Sequence, residues 1–208
     1  MNIAQQILER YEFEKLSEVF YENPIYLKWI QDREVRLLLV NEEPVNTQFI
    51  TEFFTPQLLV FTSKHSSLSG IPTLSVHTPG NLGMAELGGI SRKVSISPAS
   101  AMKDALLEMA RLREEMELDY QVSYECTHHG PSLDVPTTFV ELGSSLKQWK
   151  DVRAAEVVAH AAMAAVSKSS KYRAVLGIGG PHYNEKFTRI ALGLSLIHIS
   201  EPTRQAEI

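Results

Sequence analysis

Short apolar runs separated by segments of helical spacing constrain this chain most. Arg36–Val40 (RLLLV), Gln57–Thr62 (QLLVFT), Pro72–His77 (PTLSVH) and Arg173–Ile178 (RAVLGI) are each too short for a buried helix and rich in branched residues, the pattern of strands covered on both faces. Val94–Ser97 and Thr138–Glu141 read as shorter strands. Tyr120–Cys126 alternates, with Tyr120, Val122, Tyr124 and Cys126 on one face and Gln121, Ser123 and Glu125 on the other. Between these runs, apolar residues recur at helical spacing from Ala99 to Met116, in the Ala/Val-rich stretch Leu146–Val166, and in Asn2–Glu9 through Ile3 and Ile7. Asn46–Phe54 predicts a short helix stopped by Pro56, Lys186–Leu192 starts another, Asn2 suits an N-cap, and Ser97 before Pro98 suits a second. Interleaving of this kind predicts an α/β fold with a mixed, mostly parallel sheet flanked by helices, and a single domain over residues 1–193.

Composition narrows the functions open to such a fold. The 208 residues carry 20 Lys+Arg against 25 Asp+Glu, a net charge of -5 that disfavours non-specific binding to duplex DNA. No apolar run reaches the ~20 residues that span a bilayer. One cysteine excludes an internal disulfide framework and suits a reducing compartment, so a cytoplasmic setting is expected.

The chemistry is expected at the carboxyl ends of the strands, where open α/β sheets bind ligands. Four such ends are rich in Gly, Pro, Ser and His: Thr62–Ser67, Ser75–Asn81, Thr127–Pro131 and Gly177–Tyr183. They hold His65, His77, His128, His129 and His182, five of the six histidines before residue 194. Imidazoles gathered at one rim are what a metal or acid–base site requires. His128 and His129 point to opposite sides if the strand continues, so one of them, not necessarily both, is expected to reach a cleft. Glu125 and Glu141 are the carboxylates in range, as ligand or base. Cys126 reads as core, His160 as an ordinary helix residue, and Lys64 beside His65 as a phosphate contact or an exposed lysine. Gly177-x-Gly179-Gly180 lacks dinucleotide-fingerprint spacing; the backbone N–H groups of Gly179, Gly180 or Gly130 remain open as oxyanion or phosphate donors.

Three of these segments, FTSKHSSLSGIPTLSVHTPGN (61–81), YECTHHGPSLDVPTTFVELGSS (124–145) and GIGGPHYNEKFT (177–188), together resemble the archaeal- and plant-type D-aminoacyl-tRNA deacylases. Their order agrees as well, as do Pro98-Ala99 opening a helix and Trp149 following the GSS turn. The resemblance covers residues 2–193. It implies a sheet like that of peptidyl-tRNA hydrolases and nucleoside phosphorylases, hydrolysis of the ester joining a D-amino acid to the terminal ribose of tRNA, and zinc as cofactor. The acceptor end of aminoacyl-tRNA is then the substrate, and a monomer is expected. His128, His129, Glu125 and His182 become catalytic candidates, and Lys64, His65, Asn81, Gly179 and Gly180 substrate-binding candidates. His65, His77, His128, His129, His182 and Glu141 become zinc-ligand candidates whose roles order alone does not separate. A phosphorylase-like nucleoside or nucleotide enzyme and a non-catalytic module for RNA ends or metal are the alternatives.

Both ends depart from the family pattern. The resemblance implies a strand and a lysine-bearing turn before Met1, and a further Gly-His-Ile motif, strand and helix after Leu192. In their place, Leu194–Ile208 contains LSLIHISEPTR, which looks like the translation of an adapter used in DNA library preparation. This tail is expected to form no domain and to add nothing to folding, and His198 is left out of the site.

Overall fold

The computed structural model describes residues 2–193. Helix α1 (Asn2–Arg10) leads into three strands, β1 (Glu14–Phe20), β2 (Asn23–Ile30) and β3 (Arg33–Leu37), and a short helix α2 (Ile50–Phe53). Then follow β4 (Leu59–Lys64), β5 (Thr73–His77), α3 (Ala99–Glu115), β6 (Gln121–Tyr124), β7 (Thr137–Gly143), α4 (Leu146–Trp149), α5 (Val152–Ser167) and α6 (Glu185–Gly193). The tail expectation lies outside the described residues.

The main sheet is mixed, as the alternation of elements predicts, in the order β4-β7-β5-β6. β4 runs parallel to β7 and β6 parallel to β5, while β5 and β7 are antiparallel. Its two faces differ in chemistry. Val60, Leu74, Val76, Val122, Val140 and Leu142 pack with Ile3 and Ile7 of α1, Ala105, Met109 and Leu112 of α3, and the alanine-rich side of α5. The register sets the other face in rows, Phe61 beside Phe139 beside His77, then Ser63 beside Glu141 beside Ser75 beside Ser123. β5 is therefore apolar on one side only, where the run-length argument expects apolar cover on both, whereas β4 has it on both through Val60 and through Leu59 and Phe61.

Several expectations are corrected. The first three strands form a separate antiparallel sheet, β1-β2-β3, whose edge strand β3 replaces the buried strand expected over Arg36–Val40. Phe20 and Ile25 of this sheet build a second apolar cluster with Ile50 and Leu133, against which Leu59 and Phe61 pack. Arg173–Ile178 forms no strand, and Val175, Leu176 and Ile178 are exposed. Val94–Ser97 makes only isolated bridges, Gly80 with Val94 and Ile96 with Pro136. The long helix expected from Leu146 breaks at Lys150-Asp151, where the Asp151 carboxylate accepts from the N–H groups of Arg153 (3.0 Å) and Ala154 (3.1 Å) and caps α5. The amide of Asn2 donates to the carbonyls of Trp149 and Asp151, and Ser97 makes no cap for α3, so neither residue is the N-cap its position suggests.

Candidate functional site

All five strand-end histidines converge on one region of the polar face, together with Glu125 and Glu141. His77 closes β5, Glu141 lies across from Ser75 within β7, His65 follows β4, and Glu125 follows β6. His182 is delivered by a short antiparallel pairing beside the end of β6, where Cys126 donates its N–H to His182 (3.0 Å) and Asn184 donates to Tyr124 (2.8 Å). The imidazoles form a continuous path: His65–His182 at 5.7 Å between centroids, His182–His128 at 4.4 Å, His128–His129 at 4.3 Å, and His77 4.8 Å from both His128 and His129. Phe139 floors the cluster, stacked on His77 at 5.1 Å and on Phe61 at 4.9 Å.

His128 and His129 both reach the cluster, against the expectation that adjacent residues diverge. The strand ends before them, and each ring is turned by its own backbone contact. Nδ1 of His128 lies 2.7 Å from the Cys126 carbonyl, and Nδ1 of His129 lies 2.8 Å from the Gly130 carbonyl. Nδ1 of His77 faces the Thr78 carbonyl at 3.3 Å. A carbonyl oxygen only accepts, so each Nδ1 carries the proton and each Nε2 offers its lone pair when the ring is neutral.

The electrostatics are those of buried groups in mutual contact. Burial lowers His128, and the neighbouring His77 adds to this, pushing it down to about 4; His129 is lowered by the same two causes. Burial also acts to lower His77, but the Glu141 carboxylate, 3.3 Å from its Nε2, outweighs it and holds the imidazole above its ordinary pKa. Burial acts to raise Glu141, and His77 reverses that, holding the carboxylate well below its ordinary range, with Ser63 as a further hydrogen-bond donor. Glu125 is held low, against the pull of burial, mainly by His182, whose Nε2 lies 3.0 Å away. That contact is close but out of line for a hydrogen bond. Both Glu125 oxygens, Oε2 of Glu141, Nε2 of His77 and Oγ of Ser75 are thus buried with no hydrogen-bond partner.

Such unpartnered atoms are costly in an apolar interior, and here they concentrate among side chains able to act as ligands. Four groups of three side chains bring their ligand atoms within 4.8 Å of one another: His77-His128-His129, Cys126-His128-His182, His65-Glu125-His182 and His77-Glu125-Glu141. A cavity of about 1190 Å³ opens beside them, lined near the cluster by His65, His128, His129, Glu141, His182 and Tyr183.

The remaining sequence candidates lie at or beyond the edge. Lys64 lines the cavity, exposed, with its ammonium 3.5 Å from Glu43 and 5.4 Å from the Trp149 ring. Asn81 is buried, and its amide donates to the carbonyls of Gly88 (2.9 Å) and Ile90 (3.3 Å), so it pins a loop and does not line the cavity. Gly179 and Gly180 are exposed and outside the lining. The Gly130 N–H is taken by the Leu87 carbonyl at 3.0 Å and is no free oxyanion donor. Cys126, expected in the core, is exposed, with Sγ 3.8 Å from Nδ1 of His182. His160 lies apart, with Nδ1 2.6 Å from the Tyr11 hydroxyl. Sequence reasoning passed over Tyr183, whose hydroxyl lies 2.7 Å from Nε2 of His65; its place directly after His182 was the available signal.

A mixed α/β sheet flanked by helices, with imidazoles and carboxylates gathered at one rim, defines a nucleosidase-like fold. The scaffold is similar to that of Campylobacter jejuni 5'-methylthioadenosine/S-adenosyl homocysteine nucleosidase, with a TM-score of 0.50 over 80% of this chain and 94% of the other, at 14% identity. The chain belongs to the D-aminoacyl-tRNA deacylase family, whose model matches residues 52–204, a span that enters the tail set apart above. The D-aminoacyl-tRNA deacylase of Pyrococcus furiosus is 38% identical, over 96% of this chain and 74% of the relative. That of Thermococcus kodakarensis is 38% identical, over 94% and 73%. The crystal structure of a conserved protein of unknown function (AF0625) is similar with a TM-score of 0.81 at 30% identity, over 92% of this chain and 67% of the other.

Proposed function

We propose that this chain hydrolyses the ester between a D-amino acid and the terminal ribose of tRNA, releasing the free D-amino acid and tRNA. The observation that carries the reading is the convergence of five imidazoles and two carboxylates around buried atoms that lack partners. Family membership favours it over the phosphorylase-like and non-catalytic alternatives.

The site suits zinc. Three neutral imidazoles, each holding its Nδ1 proton on a backbone carbonyl and offering Nε2, are the donor set and outer-shell pattern that zinc sites use. His77, His128 and His129 would hold the ion, leaving Glu125, His65 and His182 for acid–base work beside it. When bound, zinc supplies Lewis-acid polarisation and makes water more acidic. Glu125 takes the proton of the water that attacks the ester carbonyl. His182, exposed and 3.0 Å from that carboxylate, protonates the departing ribose oxygen. Glu141, 3.3 Å from Nε2 of His77, would place a negative charge beside the ion and fix that ring. The Lys64 ammonium at the cavity wall suits a phosphate of the acceptor end, which would compete with Glu43 for it.

The decisive assay follows amino-acid release from tRNA charged with D- or L-tyrosine, with and without zinc. Release of the D-amino acid that requires zinc and fails for Glu125→Gln supports the proposal. Equal turnover in that variant, or none in the unmodified chain supplied with zinc, sinks it.

A further inference from the structure

Charge is distributed very unevenly along this acidic chain. The stretch from Lys168 to Arg189 holds Lys168, Lys171, Arg173, Lys186 and Arg189 but only one acid, Glu185, within a protein of net charge -5. All five cations are exposed. Lys168 lies 3.4 Å from Glu108, whereas Lys171, Arg173, Lys186 and Arg189 make no ion pair among the described residues. Elsewhere some cations are neutralised, as in Arg10–Glu156 (2.7 Å), Lys93–Asp134 (2.6 Å) and Arg111–Glu108 (2.7 Å), and the others are interspersed with acids along the chain.

The stretch is a strap fastened at both ends. Near its start the Tyr172 hydroxyl donates to Asp104 of α3 (2.9 Å), and the Lys103 ammonium sits 4.5 Å over the Tyr172 ring. At its far end the pairing with Tyr124 and Cys126 places His182 in the imidazole cluster. Between them residues 174–180 run exposed, and the Asn184 amide holds the carbonyl of Gly179 at 3.0 Å. On α6, Lys186 and Arg189 are three residues apart and share a side of the helix, while Thr188 is buried. The unpaired cations thus precede and follow His182 along one exposed stretch of chain.

We propose that this strap is the docking surface for the phosphate backbone of the tRNA acceptor stem, and that it leads the aminoacylated end to the His182 side of the site. The proposal rests on the deacylase reading above. A polyanion is repelled by a protein of net negative charge except where cations are locally in excess, and unpaired Lys and Arg release condensed counterions on contact. A cation already paired to a carboxylate contributes less, so within this stretch the contribution falls to Lys171, Arg173, Lys186 and Arg189.

The test replaces these four by Gln together in the full chain and compares two zinc-supplied substrates, D-aminoacyl-tRNA and a 3'-O-D-aminoacyl adenosine without phosphates. We expect KM for the tRNA to rise at least about tenfold near 0.1 M salt, and the slope of log(kcat/KM) against log salt to become shallower by about two to three. Turnover of the adenosine ester and the circular-dichroism melting curve stay within about twofold and a degree of the parent, on the order of measurement error. An unchanged tRNA KM and salt slope overturns the strap, as does an equal loss on both substrates, which would place the effect inside the site. If the parent hydrolyses neither substrate, the deacylase reading fails. Fluorescence anisotropy with uncharged tRNA then still decides the strap, because equal affinity of parent and variant overturns it.

Discussion

The Tyr183 hydroxyl lies 2.7 Å from Nε2 of His65, and Nδ1 of the same ring faces Glu125 and Glu141 at 3.6 and 3.7 Å. Burial holds the Tyr183 phenol above its ordinary pKa, aided by the Glu125 charge, so it keeps its proton and donates. Tyr183 thereby fixes which nitrogen of His65 addresses the carboxylates. We expect Tyr183→Phe to lower kcat about tenfold, the lower end for outer-shell partners, with KM little changed. Steady-state kinetics that show an altered KM alone would assign Tyr183 to substrate contact.

Zinc occupancy predicts a change in stability as well as in rate. Binding to the folded state alone stabilises it by about 2.7 kcal/mol at a hundred times the dissociation constant. We expect stoichiometric zinc to raise the melting temperature by several degrees and a chelator to reverse this. His129→Ala should abolish the shift. A melting temperature insensitive to zinc, read by scanning calorimetry, would count against His77, His128 and His129 as ligands.

The loop before α3 is pressed against the end of the histidine segment. A Cβ on Gly130 would sit 2.3 Å from the Gly89 nitrogen and 2.4 Å from the Gly88 carbonyl carbon, all backbone and unable to swing aside. Gly130→Ala should destabilise the fold by about 1–3 kcal/mol, as overpacking does, and displace His129 from the cluster. Urea unfolding measures the first effect, and loss of the zinc-induced melting shift reports the second.

The elements that sequence reasoning located best are those with a strong period or run. Helix α3 emerges within two residues of its expected end, and β4, β5 and β7 at the expected places. The β1-β2-β3 sheet was missed because its turns carry no usual signal. The β1–β2 turn places Tyr21 and Glu22 at φ 47° and 64°, and Gln31 opens the next turn at φ 57°, left-handed conformations that Asn or Gly ordinarily announce. Arg173–Ile178 failed for the opposite reason. Its apolar run has strand character, but no strand among the described residues pairs with it. At the site, residue types were legible because they cluster at strand ends. Geometry was not, since whether His128 and His129 diverge depends on where β6 stops, and Glu125 on the polar side of its strand looks solvated until the packing covers it.

Away from the site, the Tyr120 hydroxyl donates to Oδ2 of Asp151 at 3.0 Å, while Oδ1 caps α5. Burial raises the Tyr120 pKa, and the Asp151 carboxylate raises it further. A group whose folded pKa lies above its unfolded value near ~10 adds stability in full below that pH and loses it as pH climbs toward the folded value. Tyr120→Phe should therefore cost about 1 kcal/mol at pH 7, and the difference from the parent should shrink above pH ~10. Paired urea titrations at neutral and alkaline pH check this, and a difference that grows with pH would reverse the assignment.

The alternation of the main sheet has an evolutionary consequence. Val60, Leu74, Val122 and Val140 belong to the packed side, whereas Ser63, Ser75, Ser123 and Glu141 belong to the reactive side. Neighbouring codons thus answer to different selection, one set for persistence of the folded chain and the other for the reaction performed. A lineage can rewrite the second set while drawing little on the first. A scaffold heritable in this way diverges in chemistry long before it diverges in shape, which accords with a shared fold at 14% identity.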